Sequence, residues 1–468
     1  MKNNQIHLFS SQFITPHRNS VFECNRRSKG DNDRISQLPD DILVDILSLL
    51  SVKEAARTSV LSSRWVNLWR HTSSLDFRAD AALARIRKNC KNRDLWSEEG
   101  RKYEEWVNRV IGSHKSVTLK EFRVCFDLCF SSQESITRWF EFAFMRHVQK
   151  LDLDFSVLAR YKRFTETHYT LREEFLTRIS GGNSCIGFKS LKELSLKCLN
   201  VTGQAIEILL RMCPLLEKLV VHRTTKISNL EVCGPSLVLK HFELVYCFGL
   251  ESVKVSAPNL ISLIGLNADG LLLGNVPMLK EVTVNCLHHY VSIEKLLPTL
   301  SCCIYQLEIL TLILKSYRKL KSVLPTFPEL PKLKKLVVEY WSDGDESLMG
   351  LTHLIRASPN LQEFVLELLM GKPSKSHRKE KRTTQLPHHH LKVVKLCGYD
   401  GRSSKVELVR YILKNSVVLE KIVIDPLDPI MRGLQLRLKD LERLQTARRC
   451  AKQQLEGRVP QHVELVIL

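Results

Sequence analysis

The sequence predicts an α/β chain: a small N-terminal unit of three helices, then an irregular solenoid of strand-plus-helix repeats whose strands form one parallel ladder. Three observations predict it. Apolar residues at helical spacing crowd into residues 31–77. A short pattern, Leu-polar-polar-apolar-x-apolar, then returns about ten times. Helix-like stretches or Pro-marked turns separate its copies.

The opening residues hold one acid, Glu23, and lack the continuous apolar run of a secretory signal. Pro16, Asn19, Ser20 and Ser28 to Asp33 offer little to bury, so 1–30 is expected to be a disordered leader; a transit peptide is the other reading. Pro39 fits the first position of a helix, where its missing N–H is no loss. Asp40 and Asp41 oppose the positive end of that helix's dipole. Ile42, Leu43, Ile46, Leu47 and Leu50 make its apolar stripe. After a break at Ser51-Val52, Lys53 to Thr58 predicts a second short helix. Ser62 or Ser63 is expected to cap a third, carrying Trp65, Leu68 and Trp69. A unit this small needs a neighbour or a partner to be stable.

The string Leu38-Pro-Asp-Asp-Ile-Leu43, then Ile46-Leu-Ser-Leu-Leu50, Lys53 to Trp65 and Leu68-Trp-Arg70 closely resembles the F-box of plant F-box/leucine-rich-repeat proteins. Ser51 stands where that family commonly carries Pro, which is expected to loosen the turn. The resemblance implies docking on the Skp-type adaptor of a cullin–RING ubiquitin ligase. Leu38, Pro39, Leu43, Leu47, Val60, Leu61 and Trp65 are the residues expected to meet the adaptor.

Residues 78–145 read as a helical linker and the start of the repeat domain. Trp96, Tyr103, Trp106 and Val110 are available for packing, Thr118 to Phe126 predicts a strand, and Glu134 to Arg146 a helix with Trp139, Phe140 and Phe144 in the core. Repeats are expected over 146–385. Val148 to Phe155 recurs as Leu191-Lys-Glu-Leu-Ser-Leu196, Leu216-Glu-Lys-Leu-Val-Val221 and Leu279-Lys-Glu-Val-Thr-Val284. It returns from Leu260, Leu307, Leu333, Leu361, Leu391 and Leu419. This is the strand portion of a leucine-rich repeat. Pro214, Pro258, Pro277, Pro331 and Pro359 stop the preceding segment and steer the chain into the strand. Thr202 to Arg211, Glu346 to Ala357 and Lys405 to Lys414 predict helices. Copies stand mostly nineteen to thirty residues apart, but ten or eleven apart near Phe242, Val253 and Leu263, where turns without a helix are expected. The longer gap from Leu151 to Leu194 predicts an extra loop or a degenerate copy.

The segment 386–468 resembles the FBD-type C-terminal segment of the same family, through Leu391 to Gly398, Lys405 to Leu413, Asn415 to Ile424 and Val463 to Leu468. Leu434, Leu438, Leu441 and Leu444 predict a packed helix stripe, and the final strand a cap on the open end of the ladder.

Hydrophobic residues are 44% of the chain, and no apolar run is long enough to span a bilayer. Fourteen Cys lack paired Cys-x-x-Cys motifs; Cys198, Cys213, Cys233, Cys247 and Cys286 sit among apolar neighbours as small buried hydrophobes, and Cys302-Cys303 is a lone vicinal pair. The pattern predicts a reduced chain of the cytoplasm or nucleus. His388-His389-His390 has no further ligand at metal spacing and predicts a solvated loop, as does Lys372 to Arg382, a candidate nuclear-localisation patch. No metal or cofactor is expected. The formal charge of +20 is dispersed among acids along the chain, which argues against a nucleic-acid footprint. No phosphate-cradling loop or hydrolase motif occurs.

A non-catalytic adaptor follows from the resemblance: substrate recognition for an SCF-type ligase, with the F-box joined through the adaptor to cullin and RING subunits, and the repeats binding an unknown protein. The alternative is a repeat scaffold, or a nucleic-acid-associated basic protein, acting outside any ligase. Side chains alternate along strands, so Ser195, Val220, Thr283, Thr311, Val337, Val365 and Val423 are expected on the concave face, with Lys197, His222 and Glu339 nearby. Such a face is mixed apolar and basic and suits an acidic or phosphorylated target. Coverage of these residues by neighbouring loops is the other reading.

Overall fold

The computed structural model describes residues 35, 37–89, 92–128, 132–155, 169–180, 188–267, 270–286, 298–315, 327–344, 347–374, 387–433 and 436–468. The expected leader and most of the run Lys372 to Arg382 lie outside them. The chain divides into two compact units, Met1–Leu43 and Val44–Leu468. In the first, Pro39 stands just before helix α1 (Asp40–Leu47), and its carbonyl accepts the Leu43 N–H at 3.1 Å. In the second, Ser51 caps α2 (Val52–Arg57). Its hydroxyl accepts the Glu54 N–H, and the Glu54 carboxylate accepts the Ser51 N–H at 3.1 Å. This reciprocal box pins the turn that was expected to be loose. The third helix is a 3₁₀ helix, Trp65–His71, which starts after Arg64 without a side-chain cap, so neither Ser62 nor Ser63 serves.

The chain then enters a 14-stranded parallel ladder in sequence order. Its strands are β1 (Ser74–Arg78), β2 (Glu121–Cys125), β3 (Lys150–Asp154), β4 (Glu193–Lys197), β5 (Lys218–His222), β6 (His241–Val245) and β7 (Ser262–Asn267). They continue as β8 (Glu281–Cys286), β9 (Ile309–Lys315), β10 (Lys335–Gly344), β11 (Glu363–Ser374), β12 (Val393–Cys397), β13 (Lys421–Asp425) and β14 (Glu464–Ile467). The ladder begins inside the stretch 31–77 and runs past 385 to the terminal strand, which pairs with β13.

The recurring Leu and Val positions all enter one buried face: Leu151, Leu194, Leu219, Val282, Leu310, Leu336, Phe364, Val394 and Ile422 are shut from solvent. Each such side chain contributes roughly 1.5–3 kcal/mol by leaving water. Helices cover that face. Phe77 of β1 meets Trp106 of α4 (Arg93–Ser113) at 5.3 Å, and Phe122 of β2 meets Phe142 of α5 (Gln133–Met145) at 5.8 Å. The charge-rich linker thus resolves into α3 (Asp80–Lys88) and α4; Arg85 of α3 pairs with Glu99 of α4 at 2.6 Å, and α4 lies against β1.

Two irregularities differ from expectation in kind. β3 pairs directly with β4, Leu151 opposite Leu194, so no ladder strand stands between them among the described residues. The insertion supplies α6 (Glu173–Ser180) and a two-stranded pairing of Thr170–Leu171 with Asn200–Val201. At the short spacings, Phe242 and Leu263 lie on the ladder but Val253 does not. It belongs to a separate parallel sheet of Asn229–Cys233, Ser252–Ser256 and Leu271–Leu273. There a strand does the covering that a helix does elsewhere, as in α7 (Gly203–Met212), capped by Thr202, α8 (Thr352–Arg356) and α9 (Ser403–Asn415). In this second sheet alternation turns Cys233 outward, contrary to its expected burial, while Cys198, Cys213 and Cys247 are buried; the Cys286 side chain lies outside the description.

The leucine stripe of the last helix, α10 (Leu438–Leu455), does not pack as expected. Leu438 is 79% exposed and Leu441 is also exposed, whereas Ala447, Ala451 and Leu455 are buried; Leu434 lies outside the described residues. The second half of the helix is the anchored half. Gln454 accepts the Tyr399 hydroxyl and donates to the Gly401 carbonyl, both at 2.8 Å. Cys450 packs so close to Gly401 that a Cβ there would sit 2.7 Å from it.

Two histidines couple this packing to pH. His114 ends α4 with its ring buried, donating from Nε2 to the Thr72 carbonyl at 2.8 Å, and burial lowers its pKa to about 4. Of the three histidines expected in a solvated loop, His389 and His390 are exposed, whereas His388 is half-buried: it meets the Tyr411 hydroxyl at 3.2 Å, and burial lowers its pKa likewise to about 4. Both folded values lie below the ordinary 6.5, so each stabilising contribution is complete above pH 6.5 and is lost as pH falls toward 4. At roughly 1.4 kcal/mol per unit, the buried His114 is worth up to about 3 kcal/mol, and the half-buried His388 less because solvent screens it. Denaturant titrations across that interval should show the loss, and a flat profile would refute it.

Candidate interaction surfaces

The residues expected to bind partners fall on the helices before the ladder and on the ladder's open face. Of the residues expected to meet an adaptor, Val60 and Leu61 are 83% and 65% exposed. Pro39 is exposed and Leu38 half-buried, whereas Leu43, Leu47 and Trp65 are buried. The apolar stripe of α1 is wider than one face needs, so part of it serves the core and part faces water. The periodic pattern did not separate Leu47 from Ile46, which is exposed, nor single out Leu49, at 86% exposure.

Within the second unit, polar ties fix the short helices to the ladder. The Ser73 N–H donates to the Ser48 hydroxyl at 2.9 Å, His114 holds Thr72, and the Lys53 ammonium lies 4.4 Å from the centre of the Trp106 ring. Burial lowers the Lys53 pKa. Residues 44–77 therefore share one packed body with the first strands.

On the open face, register aligns the expected target-binding residues into a continuous row. Ser195 lies opposite Val220 and Val220 opposite Glu243; farther along, Thr283, Thr311, Val337, Val365, Lys395 and Val423 succeed one another. Ser195, Thr283, Thr311, Val337 and Val423 are half-buried, as are Lys197, His222 and Glu339 on the next row. Val220 and Val365 are buried.

The charge of this face differs from the expected basic surface because cross-strand neighbours, remote in sequence, bring acids to it. Asp152 pairs with Arg123 at 3.2 Å, Asp154 with Lys197 at 3.4 Å, and Glu243 with His222 at 2.8 Å. Beyond β13, Arg432 folds over the face to Glu367 at 2.7 Å and Asp425 at 3.5 Å. Burial, then the charge of Glu367, raises the Glu339 pKa. Arg123, Asp152, Glu243, Glu367 and Arg432 escaped the sequence reading. The strand offset that located Ser195 would have found the first four, while Arg432 lies on a loop with no periodicity.

Burial pushes the Cys213 and Cys247 thiols up to about 12, leaving them protonated at neutral pH. Among the described residues the histidine ring hydrogen bonds run to Thr72, Glu243 and Tyr411, none to a Cys or Ser. A cleft of about 750 Å³ beside α5 and α6 is lined, among the described residues, by side chains such as Gln133, Thr137, Tyr169, Phe175 and Arg178. No helix among the described residues is long and apolar enough to cross a membrane.

Short helices with exposed apolar side chains, followed along the chain by a one-dimensional parallel ladder, define a repeat protein with an N-terminal helical module. Comparison with known proteins gives the family. Residues 35–76 match the F-box domain, and residues 110–468 match the family described as At1g61320/AtMIF1, LRR domain. The chain belongs to the F-box/leucine-rich-repeat family. The Arabidopsis thaliana F-box/FBD/LRR-repeat protein At5g56420 is 25% identical over 84% of this chain and 92% of its own length. From the same plant, F-box/LRR-repeat protein At3g26922 is 30% identical over 59% of this chain and 90% of its own length. F-box/LRR-repeat protein At3g03360 is 29% identical over 52% of this chain; the match spans 49% of that relative.

Proposed function

We propose that this chain is the substrate-recognition subunit of an SCF-type cullin–RING ubiquitin ligase, working in the cytoplasm or nucleus. Its F-box docks on a Skp-type adaptor, its open face binds the target protein, and the segment 386–468 acts as an FBD-like cap on the ladder. The observation that carries this reading is the solvent exposure of Leu49, Val60 and Leu61 on a body continuous with the ladder. Large apolar side chains left this exposed on a packed body support a partner surface.

The chain performs no bond chemistry in this scheme. The ligase's conjugating enzyme transfers ubiquitin, and this protein raises the effective concentration of a target lysine beside it. The packed connection from α2 through Thr72 to β1 supports that role, because a fixed offset between the two surfaces limits where the target lysine is presented.

Proximity labelling in cells, with the proteasome inhibited, tests the target-binding face. Lys197→Glu with His222→Glu should remove a defined set of partners while adaptor capture persists. A partner set unchanged by that pair would remove this part of the open face as the binding site.

A further inference from the structure

On the C-terminal half of the ladder, the open face carries a carboxylate that the fold does not neutralise. Glu339 stands on β10 opposite Ile313 of β9 and Glu367 of β11, in a row that continues to Cys397 and Asp425. The acids of this row outnumber the guanidinium that serves them. Arg432 takes Glu367 at 2.7 Å and Asp425 at 3.5 Å, whereas Glu339 has no hydrogen bond or ion pair among the described residues.

The setting of Glu339 makes that costly. Along the strands around it stand the half-buried Ile313, Val337 and Trp341 and the buried Val365 and Leu369. Burial, then the like charge of Glu367, works against the ionised carboxylate. Trp341, the next residue of β10 on this face, is also incomplete: its indole Nε1 is buried with no hydrogen-bond partner. Unpaired polar groups of this kind are rare in folded proteins and need a reason. An extended segment across the face supplies what each lacks, a cation for the carboxylate and a backbone carbonyl for the indole N–H. A long basic side chain also lays its apolar stem on Val337 and Ile313 and its charge against the Trp341 ring.

We propose that Glu339 and Trp341 form a cation-reading subsite on the C-terminal half of the open face, which takes a lysine or arginine side chain of the target protein. The proposal rests on the target-binding reading above and narrows it to one chemistry. It also reverses the acidic target expected from the sequence, because this part of the face offers an unpaired acid.

Fluorescence anisotropy on the full chain tests it, using degenerate peptide libraries that share a fixed central Lys, Arg, Gln or Glu. The Lys or Arg library should bind about tenfold tighter than the Gln library. The chain's charge of +20 attracts acidic peptides over long range, so a preference for Lys or Arg has to come from a local carboxylate. Glu339→Gln should erase that preference and leave the melting temperature unchanged or higher, because no ion pair is lost and the repulsion from Glu367 is removed. Trp341→Leu should weaken the Lys and Arg libraries more than the Gln library. Equal binding of the Lys, Arg and Gln libraries, tighter binding of the Glu library, or a preference that survives Glu339→Gln overturns the subsite. A lowered melting temperature in Glu339→Gln also overturns it, since the carboxylate would then hold the fold. The broader reading is judged separately by partner capture in cells. Loss of capture with Thr311→Arg and Val423→Arg but not with Glu339→Gln sinks the subsite alone, and retention in every variant sinks both.

Discussion

Val60→Asp with Leu61→Asp should lower capture of a Skp-type adaptor by about two orders of magnitude while leaving the fold intact. Both side chains stand in solvent at the 3₁₀ turn Thr58–Val60 and its C-cap, so in the free chain their replacement removes little packing. Surface substitutions of this kind change stability by about 0.5 kcal/mol or less. Central apolar anchors of an interface are worth about 2 kcal/mol or more each, and a buried carboxylate adds a desolvation penalty to their loss. Leu38→Ala with Pro39→Ala should also abolish capture, with the ladder still folded. Replacement of Leu47 or Trp65 is not a clean test, because both are buried and their loss disturbs the fold itself. Pull-down with purified adaptor and thermal unfolding of the same variants separate the two effects. Undiminished capture by the double Asp variant would remove this patch from the interface.

The largest stability loss is expected at Trp139→Ala. Trp139 is fully buried on α5, and its indole N–H donates to the Asn108 side-chain carbonyl at 2.8 Å. Asn108 in turn donates to Ser135 at 3.1 Å, so the ring anchors both an apolar core and a polar chain between α4 and α5. Removing a buried Trp costs about 3–5 kcal/mol. The stranded Asn108 acceptor adds about 1–3 kcal/mol. Against a typical total of about 5–15 kcal/mol, that loosens the head of the ladder or unfolds it. Because repeats couple mainly to their neighbours, hydrogen exchange should rise first around β1 to β3 and only later toward β13. Uniform protection along the whole ladder in this variant would contradict a one-dimensional stack.

The F-box and the repeats were legible because each depends on local order. The F-box is a contiguous string, and the ladder is a short pattern whose alternate positions must be apolar wherever strands stack. The helices fall close to their predicted places for the same reason, as Thr202 capping α7 illustrates. At the short spacings, what covers the back of the repeat was not legible. A ten-residue spacing fits a bare turn or a strand equally, and only the pairing of Ser252–Ser256 with its neighbours decides for the strand.

Sequence by itself therefore determined the class of the protein and the parallel direction of its ladder. Those follow from side-chain alternation and from repetition, both readable along the chain. Tertiary structure decided which member of each apolar stripe is exposed, as with Ile46 against Leu47, because burial depends on neighbours the pattern does not name. It also decided the charge of the open face. Asp152 meets Arg123, and Glu243 meets His222, across strands some twenty to thirty residues apart in sequence, while Arg432 reaches Glu367 from sixty-five residues away. Coulomb interaction follows distance in space, and only the folded ladder sets those distances.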